Sequence, residues 1–221
     1  MATRSKEQFA HDAAAGLQRP IDGNARFVRG EARFPTVCKE TLAGLARAQH
    51  PYATILGCSD SRVPPELIFD ANFGELFIIR VAGNVTTHGV KGTLQYAAHH
   101  LHTPLVVVLG HEGCGAVQAT LEQMRTGIRQ KGYVQVLVDH IAPGLEHVPP
   151  RPDDPECVSL GVEANVRWAM RQLRATSEAK DLLREGALLV GGVFEIASGR
   201  VRFLEEAGVT APAPRLSAET A

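Results

Sequence analysis

Leu105-Val-Val-Val-Leu-Gly110, followed at once by His111-Glu-Gly-Cys114, is the stretch of sequence that decides the fold. Its apolar residues are continuous rather than alternating, a pattern typical of a parallel strand that is covered on both faces. Two similar runs come earlier, at residues 53–57 and 75–81, and a fourth comes later, at residues 186–191. Segments long enough for helices separate these runs. The sequence therefore predicts an α/β, Rossmann-like fold, with helices flanking a central, mostly parallel sheet of four strands.

The predicted strands divide the chain into three parts. Residues 1–35 carry apolar positions at helical spacing, interrupted by Pro20, and predict an N-terminal helical arm. Residues 36–210 contain all four predicted strands and form one α/β domain. Residues 211–221 begin with Ala-Pro-Ala-Pro and predict a flexible tail.

Composition argues against several classes of protein. The 221 residues carry a net charge of −1, which gives no electrostatic footprint for nucleic acid or for an anionic membrane. No apolar run approaches the roughly 20 residues needed to span a bilayer, and the N-terminal stretch lacks the apolar segment of a secretory signal. We therefore expect neither nucleic acid nor membrane as a partner and a cytoplasmic location. The four cysteines then favour metal binding or simple burial over disulfides.

Two polar motifs directly follow predicted strands. Cys58-Ser-Asp-Ser-Arg62 follows the first run, and His111-Glu-Gly-Cys114 follows the third. Because the carboxyl ends of parallel strands meet at one edge of a sheet, both motifs are expected on the same side. Two thiolates and one imidazole match a catalytic zinc site with three protein ligands and one ion per chain, here Cys58, His111 and Cys114. A closed structural site with Asp60 as fourth ligand is an alternative, as is simple burial of each cysteine.

Asp60 and Arg62 form a second informative pair. They lie two positions apart, so they can emerge on the same side of an extended turn and meet. An exposed ion pair of this kind contributes little to stability. Beside a zinc ion, however, the carboxylate can accept a hydrogen bond from a reacting water, while the guanidinium keeps it ionised and draws it away from the metal. We therefore take both as candidate catalytic residues.

These residues resemble the β-class carbonic anhydrases of bacteria. The resemblance runs through residues 57–70, 74–84 and 108–116, and it is weaker at residues 23–30 and 191–199. It implies zinc-dependent, reversible hydration of CO₂ to bicarbonate and a proton by attack of zinc-bound hydroxide. The roles it implies are those proposed above: a zinc site at Cys58, His111 and Cys114, and a catalytic pair at Asp60 and Arg62.

The resemblance also implies an assembly. Members of the family form homodimers or dimers of dimers, with the N-terminal arm of one subunit wrapped over the other. Two other functions are open at this point. Hydrolysis of carbonyl sulfide or carbon disulfide would use the same fold and attack geometry. A non-catalytic, zinc-stabilised interaction protein is the other alternative, although a structural site needs no pair such as Asp60 and Arg62.

The sequence departs from the family at two places. Many relatives carry Gln and then Gly-Pro-Gly where this chain reads Ala71-Asn-Phe-Gly74. In some branches a glutamine near there contacts bicarbonate, so Asn72 either takes over that contact or the contact is absent. Relatives with an inactive, closed zinc site usually have Trp three residues before the first cysteine ligand. Ile55 occupies that position here and favours the readily opened type.

Overall fold

A sheet of five strands forms the centre of the computed structural model, which describes residues 5–33, 38–205 and 212–215. The strand order is β2-β1-β3-β4-β5; the first four pair in parallel, and β5 runs antiparallel to β4. The α/β prediction is confirmed, but the count of four strands is wrong. The strands are β1 (Ala53–Gly57), β2 (Leu76–Arg80), β3 (Leu105–His111), β4 (Leu188–Glu195) and β5 (Arg200–Phe203).

The fifth strand escaped the sequence analysis for a physical reason. β5 reads Arg-Val-Arg-Phe and lies at the edge of the sheet, so its side chains alternate between exposed and half-buried. It therefore lacks the continuous apolar run that marks the four parallel strands. Residues 196–199 join β4 to β5 in a hairpin, and we call these four residues the hairpin turn.

Helices cover both faces of the sheet. Two short 3₁₀ segments, Ala82–Asn84 and Ala142–Gly144, and one π-helical turn, Ala97–Leu101, accompany them. The helices are α1 (Lys6–Arg29), α2 (Lys39–Leu45), α3 (Pro65–Ile68), α4 (His88–Tyr96), α5 (Gly115–Thr126), α6 (Val134–Ile141), α7 (Pro155–Arg174) and α8 (Ser177–Glu185).

The N-terminal arm is one continuous helix, α1. Ser5 caps its first turn by accepting a hydrogen bond from the backbone N–H of Gln8 at 3.2 Å, and Gly30 ends it in the left-handed conformation. Contrary to the sequence analysis, Pro20 does not interrupt the helix but lies buried within it. Leu17 and Ile21 belong to the core of the same chain. These two side chains are thus buried within the chain itself.

Apolar packing between the sheet and α7 makes the centre of the molecule. Leu105, Val107 and Val108 of β3 are fully buried, as are Val166 and Met170 of α7. Each such side chain contributes roughly 1.5–3 kcal/mol through removal from water. The core therefore fixes β3 between its neighbours. The carboxyl end of β3, where His111 lies, is therefore positioned by the sheet.

The chain beyond β5 is described only in part. Of the tail predicted at residues 211–221, residues 212–215 are described and lie against α1, where Gln18 donates to the carbonyl of Ala213 at 3.0 Å. The rest of that tail lies outside the described residues, as do residues 1–4 and 34–37 around the arm. Among the helices that are described, none is long and apolar enough to cross a membrane.

Candidate metal centre

Three elements deliver the candidate ligands to one edge of the sheet. Cys58 follows β1 directly, His111 is the last residue of β3, and Cys114 is the N-cap of α5. β1 and β3 are parallel neighbours, with Gly57 opposite Leu109, so the ends of both strands lie at the same level. The prediction that both motifs arrive on one side of the sheet is confirmed.

The ligand atoms form a compact group. The two Sγ atoms and one imidazole nitrogen all lie within 4.8 Å of one another, and the three residues are buried. Among the described residues, this group of Cys58, His111 and Cys114 is the one whose spacing suits a metal ion. Two soft sulfur donors and one nitrogen suit zinc better than magnesium or calcium.

The imidazole of His111 is oriented for coordination. Its Nδ1 lies 2.9 Å from the carbonyl oxygen of Glu112, so Nδ1–H donates there and the lone pair resides on Nε2. Nε2 is buried and has no hydrogen-bond partner. Leaving such an atom unpaired would cost about 1–3 kcal/mol. A metal ion bound by the neighbouring sulfurs removes that cost, so the residues fit zinc.

The thiols of the site are electrostatically coupled. A hydrogen bond from Cys114 lowers the pKa of Cys58, and the resulting thiolate raises the pKa of Cys114. Burial lowers the pKa of His111, but the Cys58 thiolate and the Glu112 carbonyl outweigh it, so that pKa is raised. The pocket therefore favours positive charge between the sulfurs and Nε2. Zinc supplies such charge without a proton.

Asp60 and Arg62 meet as expected from their spacing. The guanidinium donates from Nε to Oδ1 at 2.9 Å and from Nη2 to Oδ2 at 2.7 Å, and the backbone N–H of Arg62 donates to Oδ1 at 3.0 Å. These hydrogen bonds hold the pKa of the Asp60 carboxyl well below its usual range. Oδ2 lies 3.9 Å from Nε2 of His111. The carboxylate thus borders the metal site and stays ionised.

Two further residues shape the Cys58 loop, and sequence reasoning missed both. Arg80, at the end of β2, donates from Nε to the carbonyl of Cys58 at 2.8 Å and from Nη2 to the carbonyl of Asp60. Gly83 donates its backbone N–H to Cys58 Sγ at 3.4 Å, and its φ of +69° suits glycine. Asn165 of α7 holds this turn by donating to the carbonyl of Gly83 at 2.8 Å. A charged residue at the end of an apolar strand and a glycine three positions later were the available signals.

The other two cysteines lie outside the group. Cys38 is exposed at the start of α2. Cys157 is buried on α7, where its thiol donates to the carboxylate of Asp154 at 3.2 Å. Neither shares a ligand set with Cys58.

The parallel sheet and the Cys-His-Cys group together are those of a zinc enzyme. The family model described as carbonic anhydrase matches residues 53–201. A carbonic anhydrase of Mycolicibacterium smegmatis is 38% identical over 191 residues, which is 85% of this chain and 91% of that protein. Carbonic anhydrase 2 of Mycobacterium tuberculosis is 38% identical over 189 residues, 85% of this chain and 90% of that protein.

Solved structures agree with these relatives. A β-carbonic anhydrase of Aspergillus fumigatus, CafA, superposes with a TM-score of 0.69 at 28% identity, covering 77% of this chain and 83% of that one. One of two tetrameric β-carbonic anhydrases of Sordaria macrospora superposes with a TM-score of 0.68 at 26% identity, covering 74% and 85%. The chain belongs to the β-carbonic anhydrase family, and its cofactor is zinc.

Proposed function

We propose that this chain catalyses the reversible hydration of CO₂ to bicarbonate and a proton at the edge of its sheet. Cys58, His111 and Cys114 hold zinc, one ion per chain. The observation that carries this assignment is the buried, unpartnered Nε2 of His111 within 4.8 Å of two cysteine sulfurs. Zinc bound there supplies Lewis acidity, which makes water a stronger acid and hence a nucleophile near neutral pH.

Asp60 orients the reaction in this proposal. Its carboxylate is an acceptor only, so it can bind the O–H of the reacting water and aim the oxygen lone pair at CO₂. The same carboxylate oxygen can accept a hydrogen bond from the O–H group of bicarbonate. The protonated oxygen of the product is therefore favoured at the position next to Asp60. Arg62 has no contact with substrate in this scheme. It keeps Asp60 ionised and turned away from the three ligand atoms.

Removal of single ligands tests the assignment. Cys58→Ser, His111→Ala and Cys114→Ser should each lose most bound zinc and most CO₂ hydration, because two protein ligands hold zinc poorly. Elemental analysis and stopped-flow hydration measure the two effects. Cys38→Ser is the matched control, since that cysteine is exposed and distant from the group, and it should keep both. Stoichiometric zinc in all three ligand variants would disprove the assignment.

The alternatives from the sequence are not proposed. The compared relatives are carbonic anhydrases, and nothing in the described geometry favours carbonyl sulfide or carbon disulfide as substrate. A non-catalytic zinc protein is excluded by membership of an enzyme family. Cytoplasmic location stays a prediction from the sequence.

We also propose that two chains form a homodimer, or a dimer of dimers. The β-carbonic anhydrases of Sordaria macrospora are tetrameric. Large apolar side chains are exposed among the described residues, with 52% of Leu67, 60% of Phe73 and 48% of Tyr96 accessible. Light scattering on the zinc-loaded protein tests this, and a fully active monomer would contradict it. The boundaries at residues 35 and 210 remain predictions from the sequence.

A further inference from the structure

Asn24 of α1 joins three elements with one buried side chain. It is 6% exposed, and its Nδ2 donates to the carbonyl of Gly199 at 2.9 Å and to that of Ile68 at 3.2 Å. Its Oδ1 accepts the backbone N–H of Val201 at 2.8 Å. The partners fix the amide orientation, because a flipped amide would place its oxygen against two carbonyl oxygens. Asn24 thus ties α1 to α3 and to the β4–β5 hairpin.

The same hairpin also contacts the loop at residues 111–114 through Glu112. The backbone N–H of Glu112 donates to the carbonyl of Phe194 at 2.9 Å, which continues the pairing of β3 with β4 beyond His111. Its carboxylate accepts the backbone N–H of Ala197, in the hairpin turn, at 3.3 Å. Its carbonyl is the acceptor for Nδ1 of His111 at 2.9 Å. Glu112 therefore lies between the hairpin turn and a candidate ligand.

Independent contacts hold α1 against these elements. A Cβ on Gly23 would lie 1.9 Å from the carbonyl oxygen of Phe69, so the helix backbone and the end of α3 are in direct contact. Arg26 pairs with the buried carboxylate of Asp70 at 2.6 Å. The ring of Phe27 packs against that of Phe194, with centroids 6.5 Å apart. The helix is thus a fixed support for the hairpin rather than a loosely attached arm.

We propose that Asn24 is a positioning residue for His111, acting through the hairpin turn and Glu112. Hydrogen-bond partners behind a ligating histidine set its ring orientation, and their loss typically costs 10- to 100-fold in metal affinity. Here the partner is a backbone carbonyl, so its place depends on what holds residue 112. Asn24 holds one part of the hairpin, and the Glu112 carboxylate holds another. The inference rests on the proposed ligand role of His111.

The test measures metal binding in variants of both ends of this connection. Asn24→Ala and Glu112→Ala should each weaken zinc binding about tenfold, measured by competition with a chromogenic chelator. Both should also change the visible d–d spectrum of the cobalt-substituted protein. Glu112→Gln keeps an oxygen that accepts from Ala197 and should bind zinc like the parent. Both substitutions at residue 112 remove the charge, but only Glu112→Ala removes the hydrogen bond. The comparison therefore separates the effect of the hydrogen bond from that of the charge.

The most specific test is whether the effects of the substitutions at Asn24 and Glu112 on zinc affinity depend on each other. The double variant of Asn24→Ala with Glu112→Ala should bind zinc about as tightly as either single variant, because both substitutions release the same hairpin turn. Gln18→Ala is the matched control on the same helix. Gln18 is also buried and hydrogen-bonded, but its partners are Asp22 and Ala213, so the variant should lose stability without any change in metal binding.

The outcomes distinguish this inference from the proposed function. Zinc affinity within twofold of the parent in folded Asn24→Ala and in Glu112→Ala would overturn the inference alone, provided His111→Ala still loses zinc. Retention of zinc by His111→Ala would overturn the ligand assignment instead. If Asn24→Ala does not fold, Glu112→Ala and Glu112→Gln decide, since residue 112 has an exposed side chain. Equal zinc affinity of those two variants would then contradict the inference.

Discussion

At the scale of single residues, the catalytic proposal depends on how Arg62 holds Asp60. The carboxylate receives three hydrogen bonds from Arg62. Its Oδ2 is 3.9 Å from Nε2 of His111, so a modest rotation would bring it to a metal bound at that nitrogen. The guanidinium is the restraint against this rotation. In the catalytic proposal, Arg62 therefore keeps Asp60 available as an acceptor for substrate and prevents it from binding the metal.

Replacement of Arg62 should reveal that separation. Arg62→Ala should retain zinc yet lose about 100-fold or more in CO₂ hydration, because Asp60 is released toward the metal site. Arg62→Lys should recover only part, since one ammonium cannot match two parallel guanidinium contacts. Hydration rates and zinc content measure this. Arg129→Ala, at an exposed arginine paired with Asp139 at 3.5 Å, should behave as the parent. Full activity in Arg62→Ala would refute the role.

A buried carboxylate elsewhere controls stability in acid. The side chain of Asp70 is 1% exposed and pairs with Arg26 and Arg33. Burial raises its pKa, but the two arginines outweigh this, and the pKa in the folded protein is lowered. A lowered pKa means that the stabilisation is complete above the unfolded value of about 3.9 and is lost as pH falls through the folded value.

Asp70→Asn should therefore destabilise the protein in a pH-dependent way. At pH 7 we expect a loss of about 1.5–3 kcal/mol in the free energy of unfolding, because charged hydrogen bonds are replaced by neutral ones. The difference from the parent should shrink as the pH is lowered below the unfolded pKa of about 3.9. Urea unfolding at several pH values measures it. A difference that stays constant with pH would show that Asp70 acts through packing alone.

At the scale of elements, a close contact between α1 and the end of α3 sets how tightly the arm packs against the domain. Gly23→Ala places a Cβ 1.9 Å from a backbone oxygen and should cost about 1–3 kcal/mol or more. Gly44→Ala, on the exposed helix α2, meets nothing within 4 Å and should stabilise by about 0.5–1 kcal/mol. Thermal or urea unfolding compares them. Equal stability of the two variants would show that the close contact between α1 and α3 does not limit the size of residue 23.

The sequence predicted those elements whose signals are local. Continuous apolar runs marked the parallel strands, and the carboxyl-end rule then placed Cys58 beside His111. Asn24 gave no such signal, because its partners Ile68 and Gly199 lie 44 and 175 residues away. The sequence likewise placed Arg80 at the end of a strand but did not predict its hydrogen bonds to the Cys58 loop. Side-chain contacts across the fold depend on tertiary packing, which no periodicity encodes.

At the scale of the whole molecule, hydrogen bonds within the protein itself hold the loops that carry the candidate ligands. Arg80 holds the carbonyl of Cys58, Phe194 holds the N–H of Glu112, and Cys114 accepts the first bond of α5 from the N–H of Gln118 at 3.0 Å. None of these needs a metal ion. They are backed by a core that extends well beyond the site.

Removal of zinc should therefore leave the chain folded. After dialysis against a chelator, far-UV circular dichroism should stay within a few per cent of the parent signal, in contrast to zinc fingers, which unfold without metal. The midpoint of thermal unfolding should fall, because a ligand at 1,000 times its dissociation constant stabilises by about 4 kcal/mol. Re-addition of zinc should restore the midpoint. Loss of the helical signal on chelation would contradict the prediction.

The end of β3 has one more consequence, which concerns the order of events in time. His111 is paired with Phe194 in the same ladder that builds the sheet, so the chain places this ligand when the strand forms. We therefore expect folding to come first and zinc binding second. The rate of zinc uptake should rise in proportion to free zinc rather than follow a slow refolding step. On this expectation, chains made without zinc should fold and still bind the metal when it is supplied later.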